Sequence, residues 1–199
     1  MKHPVVLEEA PPQRENAVGF SCIPSPHVSR AGWYPTICTM AAIVAVFVVV
    51  FGFLMRPAFV RGESMSPTLE EGDFLLIQHL FSMPEQGDIV VLSAPQFNHP
   101  IVKRVIAVEG QTVDLDGKTG TVTVDGKVLD EPYLKDPLLY TGGGSLSLPA
   151  VVPENCIFVL GDNRNDSLDA RFWSTPYVPK KDMLGKVLFR YYPSISKVE

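Results

Sequence analysis

Hydrophobic and polar positions divide the chain into three parts, of which the middle part is the most distinct. Ile37 to Met55 form an apolar run of 19 residues without a charged side chain. A helix of this length rises by about 1.5 Å per residue and spans about 30 Å, the hydrocarbon thickness of a bilayer. The run is longer than the apolar region of a cleaved signal peptide, and Arg56-Pro57 follow it instead of a small-x-small cleavage site. We therefore predict one retained transmembrane helix over residues 37–55, with a cleaved signal peptide as the less favoured alternative.

The segments before and after this run have different patterns. Residues 1–36 mix charges with six prolines and show no period, which predicts a flexible tail. Residues 56–199 contain short β-branched runs separated by Gly-Asp and Asp-Gly turn signals. The Asp125-Gly126 pair in TVTVDGKVL predicts a tight hairpin, because both central residues of such a turn adopt positive φ. We expect residues 56–199 to be a mainly β domain of antiparallel sheets.

Composition and charge exclude several function classes. The formal net charge of -5 and the pI near 5.4 argue against a nucleic-acid partner. Cys156 is the single cysteine after the apolar run, so no disulfide can form within the β domain. No cluster has zinc-ligand spacing, and residues 162–173 lack the glycine and glutamate of a calcium loop. We predict no metal and no cofactor, and we interpret His79 and His99 as ordinary turn or strand-end residues.

Lys103 is the first candidate for chemistry, within the predicted strand IVKRVIAV at residues 101–108. Alternation places it on one face among apolar neighbours and Arg104 on the other face. Apolar neighbours disfavour the charged form, and a fall of the lysine pKa by about 2 to 3 from about 10.4 leaves a useful fraction of neutral amine near pH 8. A neutral amine can act as a general base. The alternatives are a lysine at a sheet edge that reaches solvent, or one paired with an acid such as Asp88.

Ser64 in RGESMSPTL is the second candidate. Such a serine commonly bonds its own backbone. The helical S-x-x-K arrangement is excluded because residue 67 is proline, so a Ser-Lys pair has to form across strands. The third candidate segment is GDNRNDSLDAR at 161–171, which is either a well-bonded loop or part of a site. In it Asp169 and Arg171 can pair, and Ser167 can donate or accept a hydrogen bond.

Taken together, these segments resemble the type I signal peptidases, which are membrane-anchored serine proteases with a Ser-Lys dyad. The resemblance covers the apolar run and nearly all of the domain after it. It rests on SMSPTL at 64–69, GDFLLI at 72–77, GDIVVL at 87–92, KRVIAVEGQ at 103–111 and GDNRNDSLDAR at 161–171. It implies antiparallel sheets in a barrel-like catalytic domain behind one N-terminal transmembrane helix.

The resemblance also implies roles for individual residues. Ser64 would be the nucleophile and Lys103 its general base, and Ser167 would hydrogen-bond the amine and orient it. The supporting loop would be held by Asp169 and Arg171. The backbone N–H of Ser64 would bind the oxyanion, while Gly62 occupies a position where many members carry a hydroxyl. Shallow apolar substrate pockets would be lined by Val60, Met65, Leu69, Leu75, Ile101 and Val102.

Besides Gly62, two further features depart from the family pattern. Ala170 replaces the usual serine before the final arginine, and FWSTPYVP follows that arginine where a glycine is common.

The expected function is removal of N-terminal signal peptides from exported preproteins after small-x-small sites. The expected partners are these preproteins and a lipid bilayer, with no nucleic acid and a monomeric state. The family implies a single-pass plasma-membrane protein with a cytoplasmic N-terminus and its catalytic domain on the outer face, which the charges beside the apolar run do not decide. Two alternatives stay open: a related Ser-Lys maturation protease with a narrow substrate, and an inactive anchored β domain that binds exported proteins.

Overall fold

The apolar run forms a helix in the computed structural model, which describes residues 32–79, 83–94, 96–139 and 145–198. Helix α1 spans Trp33–Val49 and continues into a π-helical turn at Val50–Leu54. The segment Trp33–Gly52 has a mean hydropathy of 2.3 and is long and apolar enough to cross a membrane. The helical segment begins at Trp33, four residues before the predicted start at Ile37, because a proline such as Pro35 is tolerated in the first turn of a helix. Most of the predicted tail lies outside the described residues.

Contacts between residues divide the chain into two units, 1–40 and 41–199, and the boundary lies within α1. The second unit contains all twelve strands that the described residues form. Their bounds are β1 Met55–Phe59, β2 Phe74–Gln78, β3 Ile89–Leu92, β4 Ile101–Val108, β5 Thr112–Asp116, β6 Thr121–Val124, β7 Lys127–Val128, β8 Ala150–Val151, β9 Cys156–Leu160, β10 Val178–Pro179, β11 Met183–Tyr192 and β12 Ser196–Lys197.

These strands form two antiparallel sheets. The larger sheet has the order β1-β2-β11-β3-β4-β9-β10, with β12 paired to β11, and it curls into a half-barrel. The smaller sheet has the order β7-β6-β5-β8. The β6–β7 hairpin turns at Asp125 and Gly126, with φ of 53° and 75°, which confirms the predicted turn. The predicted mainly β, antiparallel fold is confirmed.

Two hydrophobic clusters hold the sheets together. The larger cluster gathers buried side chains of β4, β5, β6 and β9, among them the fully buried Phe158. The smaller cluster lies between β1, β2, β3 and β11 and includes Met65 and Leu69. Because Met65 and Leu69 are 1% and 0% exposed, the chain immediately after Ser64 is anchored in a packed core. This anchoring gives the serine turn a defined position.

Alternation along β4 follows the prediction only in part. A register shift against β9 between Val105 and Ala107 interrupts the ladder. As a result Val105, Ile106 and Ala107 all belong to the larger hydrophobic cluster. A bulge lets neighbouring side chains serve one core, and simple two-residue alternation cannot anticipate it.

Candidate active site

Ser64 and Lys103 meet across the second unit, although 39 residues separate them in sequence. Ser64 lies in the turn between β1 and β2, and Lys103 is the third residue of β4. The Lys103 Nζ donates a hydrogen bond of 2.6 Å to the Ser64 Oγ. Val90 of β3 is the cross-strand neighbour of Lys103. The pair is therefore formed between a turn and a central strand, as expected once Pro67 excludes the helical S-x-x-K arrangement.

Burial sets the charge state of this lysine. Lys103 is 4% exposed, and loss of hydration lowers its pKa from 10.5 to about 8, against a smaller opposing effect of Asp169 and Asp162. About half of the amines are neutral at a pH equal to the pKa. The alternative pairing with Asp88 is not formed, because Asp88 contacts Lys186 at 2.6 Å. The amine beside Ser64 is therefore able to accept a proton near neutral pH.

The loop after β9 is braced by a buried ion pair. Arg171 donates from Nε to Asp169 Oδ1 at 2.7 Å and from Nη2 to Asp169 Oδ2 at 2.8 Å. Both side chains are fully buried. Asp169 Oδ2 also accepts the backbone N–H of Gly161, and Arg171 donates to the carbonyl of Arg164. The two ends of the loop are thus tied together, as the sequence allowed.

Ser167 does not make the predicted bond to the amine. Its side-chain oxygen is buried and has no hydrogen-bond partner among the described residues. It packs against Gly161, where an added Cβ would lie 2.1 Å from the Ser167 Oγ and 2.5 Å from the Ser64 carbonyl oxygen. Ser167 is therefore placed beside the Ser64 turn, and among the described residues the side-chain hydrogen bond from Lys103 goes to the Ser64 hydroxyl.

A second buried ion pair was not foreseen from the sequence. Arg104 donates from Nε and Nη2 to the two carboxylate oxygens of Asp162, at 2.8 and 2.7 Å. Asp162 Oδ2 also accepts the hydroxyl of Thr68 at 2.6 Å. The guanidinium lies 3.7 Å from the centre of the Tyr133 ring. The sequence did contain a signal for this ion pair, because Arg104 is a cation on the second face of an apolar strand and a buried arginine requires a carboxylate partner.

An apolar groove of about 700 Å³ leads to the Ser–Lys pair. Of the predicted pocket residues, Val60, Met65, Ile101 and Val102 line it. Leu69 and Leu75 are not among its lining residues, and both are fully buried in the smaller hydrophobic cluster, which also contains Val60 and Met65. His79 and His99 do line the groove, although their sequence positions indicated ordinary turns. Gly62 has a φ of 80° and lies at the wall beside Ser64.

Two strand edges along this groove lack a partner strand among the described residues. β1 pairs only with β2, and its other edge lies at the end of the sheet. β9 pairs with β4 from Arg104 to Val108, so residues 101–103 pair only with β3. An extended peptide can form backbone hydrogen bonds with such edges. Among the residues described, no group of three or more His, Cys, Asp or Glu side chains could hold a metal ion.

A serine hydroxyl bonded to a buried, readily neutral amine at the end of an apolar groove is an arrangement suited to a Ser-Lys hydrolase. The sequence model of the family described as "Signal peptidase, peptidase S26" matches residues 31–192. The chain belongs to this family of serine peptidases, and the resemblance to type I signal peptidases is confirmed.

Curated relatives agree with this family. The chain is 37% identical over 167 residues to "Probable signal peptidase I-1" of Synechocystis sp., covering 78% of this chain and 80% of the relative. It is 34% identical over 173 residues to "Signal peptidase IB" of Staphylococcus aureus, covering 79% and 88%. "Thylakoidal processing peptidase 1, chloroplastic" of Arabidopsis thaliana is 31% identical over 185 residues, covering 82% and 52%. A crystal structure of a signal peptidase I from Enterococcus faecalis V583 is 26% identical and covers 53% of this chain and 97% of that chain, with a TM-score of 0.44.

Proposed function

We propose that this chain is an endopeptidase that removes N-terminal signal peptides from exported preproteins, with Ser64 as the nucleophile and Lys103 as its general base. The observation that carries the proposal is the 2.6 Å hydrogen bond between the Lys103 Nζ and the Ser64 Oγ. This distance allows direct proton transfer. The lowered lysine pKa of about 8 supplies the neutral amine that the transfer needs.

The chemistry follows the order of an acyl transfer. Lys103 takes the proton of the Ser64 hydroxyl as its oxygen attacks the scissile carbonyl carbon, and the carbonyl oxygen becomes an oxyanion facing the backbone N–H of Ser64. The ammonium of Lys103 then gives its proton to the leaving amine, which leaves as the peptide C–N bond breaks and an ester on Ser64 remains. In the second half, Lys103 accepts a proton from water, and the hydroxide attacks that ester. Return of the proton to Ser64 releases the signal peptide with a free carboxylate.

The groove favours an extended, apolar substrate. The open edges of β1 and of residues 101–103 offer backbone donors and acceptors on two sides of one peptide strand. Val60, Met65, Ile101 and Val102 give the wall an apolar surface near Ser64. We propose that this wall accepts small side chains at the first and third positions before the cut.

The position of Ser64 along the chain supports a substrate that is itself in a membrane. The apolar helical segment ends at Gly52 and Ser64 follows twelve residues later. We propose that residues 37–55 are the single anchor, that residues 1–36 lie in the cytoplasm and that residues 56–199 act on the outer face of the plasma membrane as a monomer.

The test is cleavage of a preprotein with an Ala-x-Ala site by the full chain in detergent, between pH 6 and 10. We expect the wild type to cut after the last alanine, and Ser64→Ala and Lys103→Met to be inactive. Ser66→Ala is the matched control, since it changes another hydroxyl of the same turn, and it should cut like the wild type. Cleavage by the Ser64 or Lys103 variant would refute the assigned pair. A wild type that does not cut this substrate, although an acylating probe labels Ser64, would point to a maturation protease with a narrow substrate.

A further inference from the structure

The peptide unit between Glu63 and Ser64 is held from outside its own turn. Its carbonyl oxygen, on Glu63, accepts the side-chain N–H of Asn163 at 3.1 Å and the backbone N–H of Ser66 at 3.0 Å. The next carbonyl along the chain, on Ser64, accepts the backbone N–H of Asn163, also at 3.1 Å. One residue of the loop after β9 thus contacts two consecutive carbonyls of the candidate nucleophile turn.

From this geometry we infer that Asn163 is a positioning residue for oxyanion binding, acting through the peptide unit between Glu63 and Ser64. The inference rests on the proposed function. A peptide unit is planar, and its C=O and N–H point in opposite directions. Fixing the Glu63 carbonyl therefore fixes the direction of the Ser64 N–H, which is the donor that the oxyanion would meet. Among the described residues this N–H donates to no acceptor, so it is available for a substrate oxygen.

The bonds to the Glu63 carbonyl also polarise the unit. A carbonyl that accepts hydrogen bonds draws electron density through the amide and makes the N–H at the other end a stronger donor. Only the amide nitrogen of Asn163 can face the Glu63 oxygen, because a carbonyl has no proton to give. The orientation of this side chain follows from its partner.

The neighbouring sequence makes such support more important here. Gly62 carries no hydroxyl, and an added Cβ at this position would meet no atom within 4 Å. No side chain at residue 62 can therefore assist the oxyanion, and the φ of 80° shows a backbone conformation that glycine adopts easily. A turn that begins at a flexible residue gains precision from an external clamp.

Asn163 is itself well supported. The adjacent Asp162 is buried and bonded to Arg104, and it accepts the Thr68 hydroxyl from the same turn. The carbonyl of Asn163 accepts the N–H of Asp166. The clamp is therefore attached to a rigid loop, so that its removal should change the turn locally and leave the fold intact.

The experiment compares Asn163→Ala and Asn163→Leu with the wild type, using the full chain in detergent and the Ala-x-Ala preprotein. Leucine keeps nearly the volume of asparagine without its hydrogen bonds or a charge. Asn165→Ala is the matched control, because Asn165 bonds Leu139 and Pro137 and, among the described residues, has no hydrogen bond to the serine turn. Active sites are counted with a stoichiometric acylating probe, so that any unfolded fraction does not enter kcat.

We expect kcat to fall about tenfold in both Asn163 variants, less than the 10²- to 10³-fold loss of a direct oxyanion donor, because Ser66 still holds the carbonyl. KM should stay unchanged. A peptide boronic acid, whose boron adds the Ser64 oxygen to form a tetrahedral anion, should lose affinity by the same factor as kcat. The cleaved signal peptide, which forms no such anion, should bind as before, and the acid limb of the rate should stay near pH 8.

Three outcomes would overturn the inference: an unchanged kcat, a fall in kcat without loss of boronate affinity, or an equal fall in Asn165→Ala. A shifted acid limb would also overturn it, since it would show that Asn163 acts on Lys103. If the wild type cuts normally and the Asn163 variants cut equally well, the inference about Asn163 is refuted and the proposed function stands. A wild type that does not cut refutes the proposed function first and the inference with it.

Discussion

Replacing Lys103 by methionine should stabilise the fold while it removes activity. The burial of the amine lowers its pKa from 10.5 to about 8, which corresponds to about 3 kcal/mol of unfavourable free energy for the charged form in the folded state. Methionine has a similar length and no charge. It loses the hydrogen bond to Ser64, which contributes about 1 kcal/mol. The net expectation is a gain of about 2 kcal/mol at pH 7.

The gain should depend on pH in a defined direction. Because the folded pKa lies below the unfolded value, the folded state binds fewer protons between pH 8 and 10.5, and wild-type stability rises over this window. The penalty is present in full below pH 8. At pH 10 about 1 kcal/mol of it remains, so the variant and the wild type should then be about equally stable.

The assay is guanidinium unfolding of the full chain in detergent, followed by circular dichroism at pH 7 and at pH 10. Other groups that titrate in this range cancel in the difference between wild type and variant. Lys127→Met is the matched control, because it makes the same change at an exposed position of β7, and no gain in stability is expected from it. A Lys103→Met variant that is less stable than the wild type at pH 7, or equally altered at both pH values, would refute the argument from desolvation.

Three further changes test the surroundings of the pair. Asp169→Asn removes the fully buried partner of Arg171 and should cost about 3 to 5 kcal/mol of stability. Because Asp169 raises the pKa of Lys103, the same variant should move the acid limb of kcat/KM to lower pH. Gly161→Ala places a Cβ 2.5 Å from the Ser64 carbonyl, so steady-state kinetics should show kcat reduced about 10²-fold by the displaced turn, and an unchanged kcat would contradict the packing. Leu69→Ala should cost about 2 to 5 kcal/mol in denaturant unfolding with KM unchanged, because this side chain is core and not groove wall; a large change in KM would restore it to the pocket.

The elements of the site were predictable where the signal is local. Alternation placed one cation on each face of β4, and Gly-Asp and Asp-Gly signals separated the strands. The pairing of Ser64 with Lys103 was not predictable from periodicity, because 39 residues separate them and the register between distant segments is set by the whole sheet. The resemblance to a known family supplied that pairing, and the structure supplies its distance.

Other features depend on contacts that one strand pattern cannot contain. The partner of Arg104 lies 58 residues further on, in a loop without periodicity. His79 and His99 line the groove because two segments distant in sequence meet there, although each reads locally as a turn or strand end. The burial of Leu69 and Leu75 in the core was not predictable for a related reason. An apolar residue beside a nucleophile is equally compatible with a groove wall and with the core beneath it, and only packing decides.

The unpaired strand edges and the buried Lys103 reduce the stability of this fold, and a bound substrate strand would pair those edges. The open edges at β1 and at residues 101–103 lie along the groove that contains Lys103. A peptide strand docked on both edges would exclude water from this lysine and remove more of the hydration that favours its charged form. The lysine pKa should therefore be lower in the substrate complex than in the free enzyme. Because kcat reports ionisations in the complex and kcat/KM those in the free enzyme, the acid limb of kcat should lie at lower pH than that of kcat/KM. Coincident limbs would show that substrate docking leaves the hydration of Lys103 unchanged.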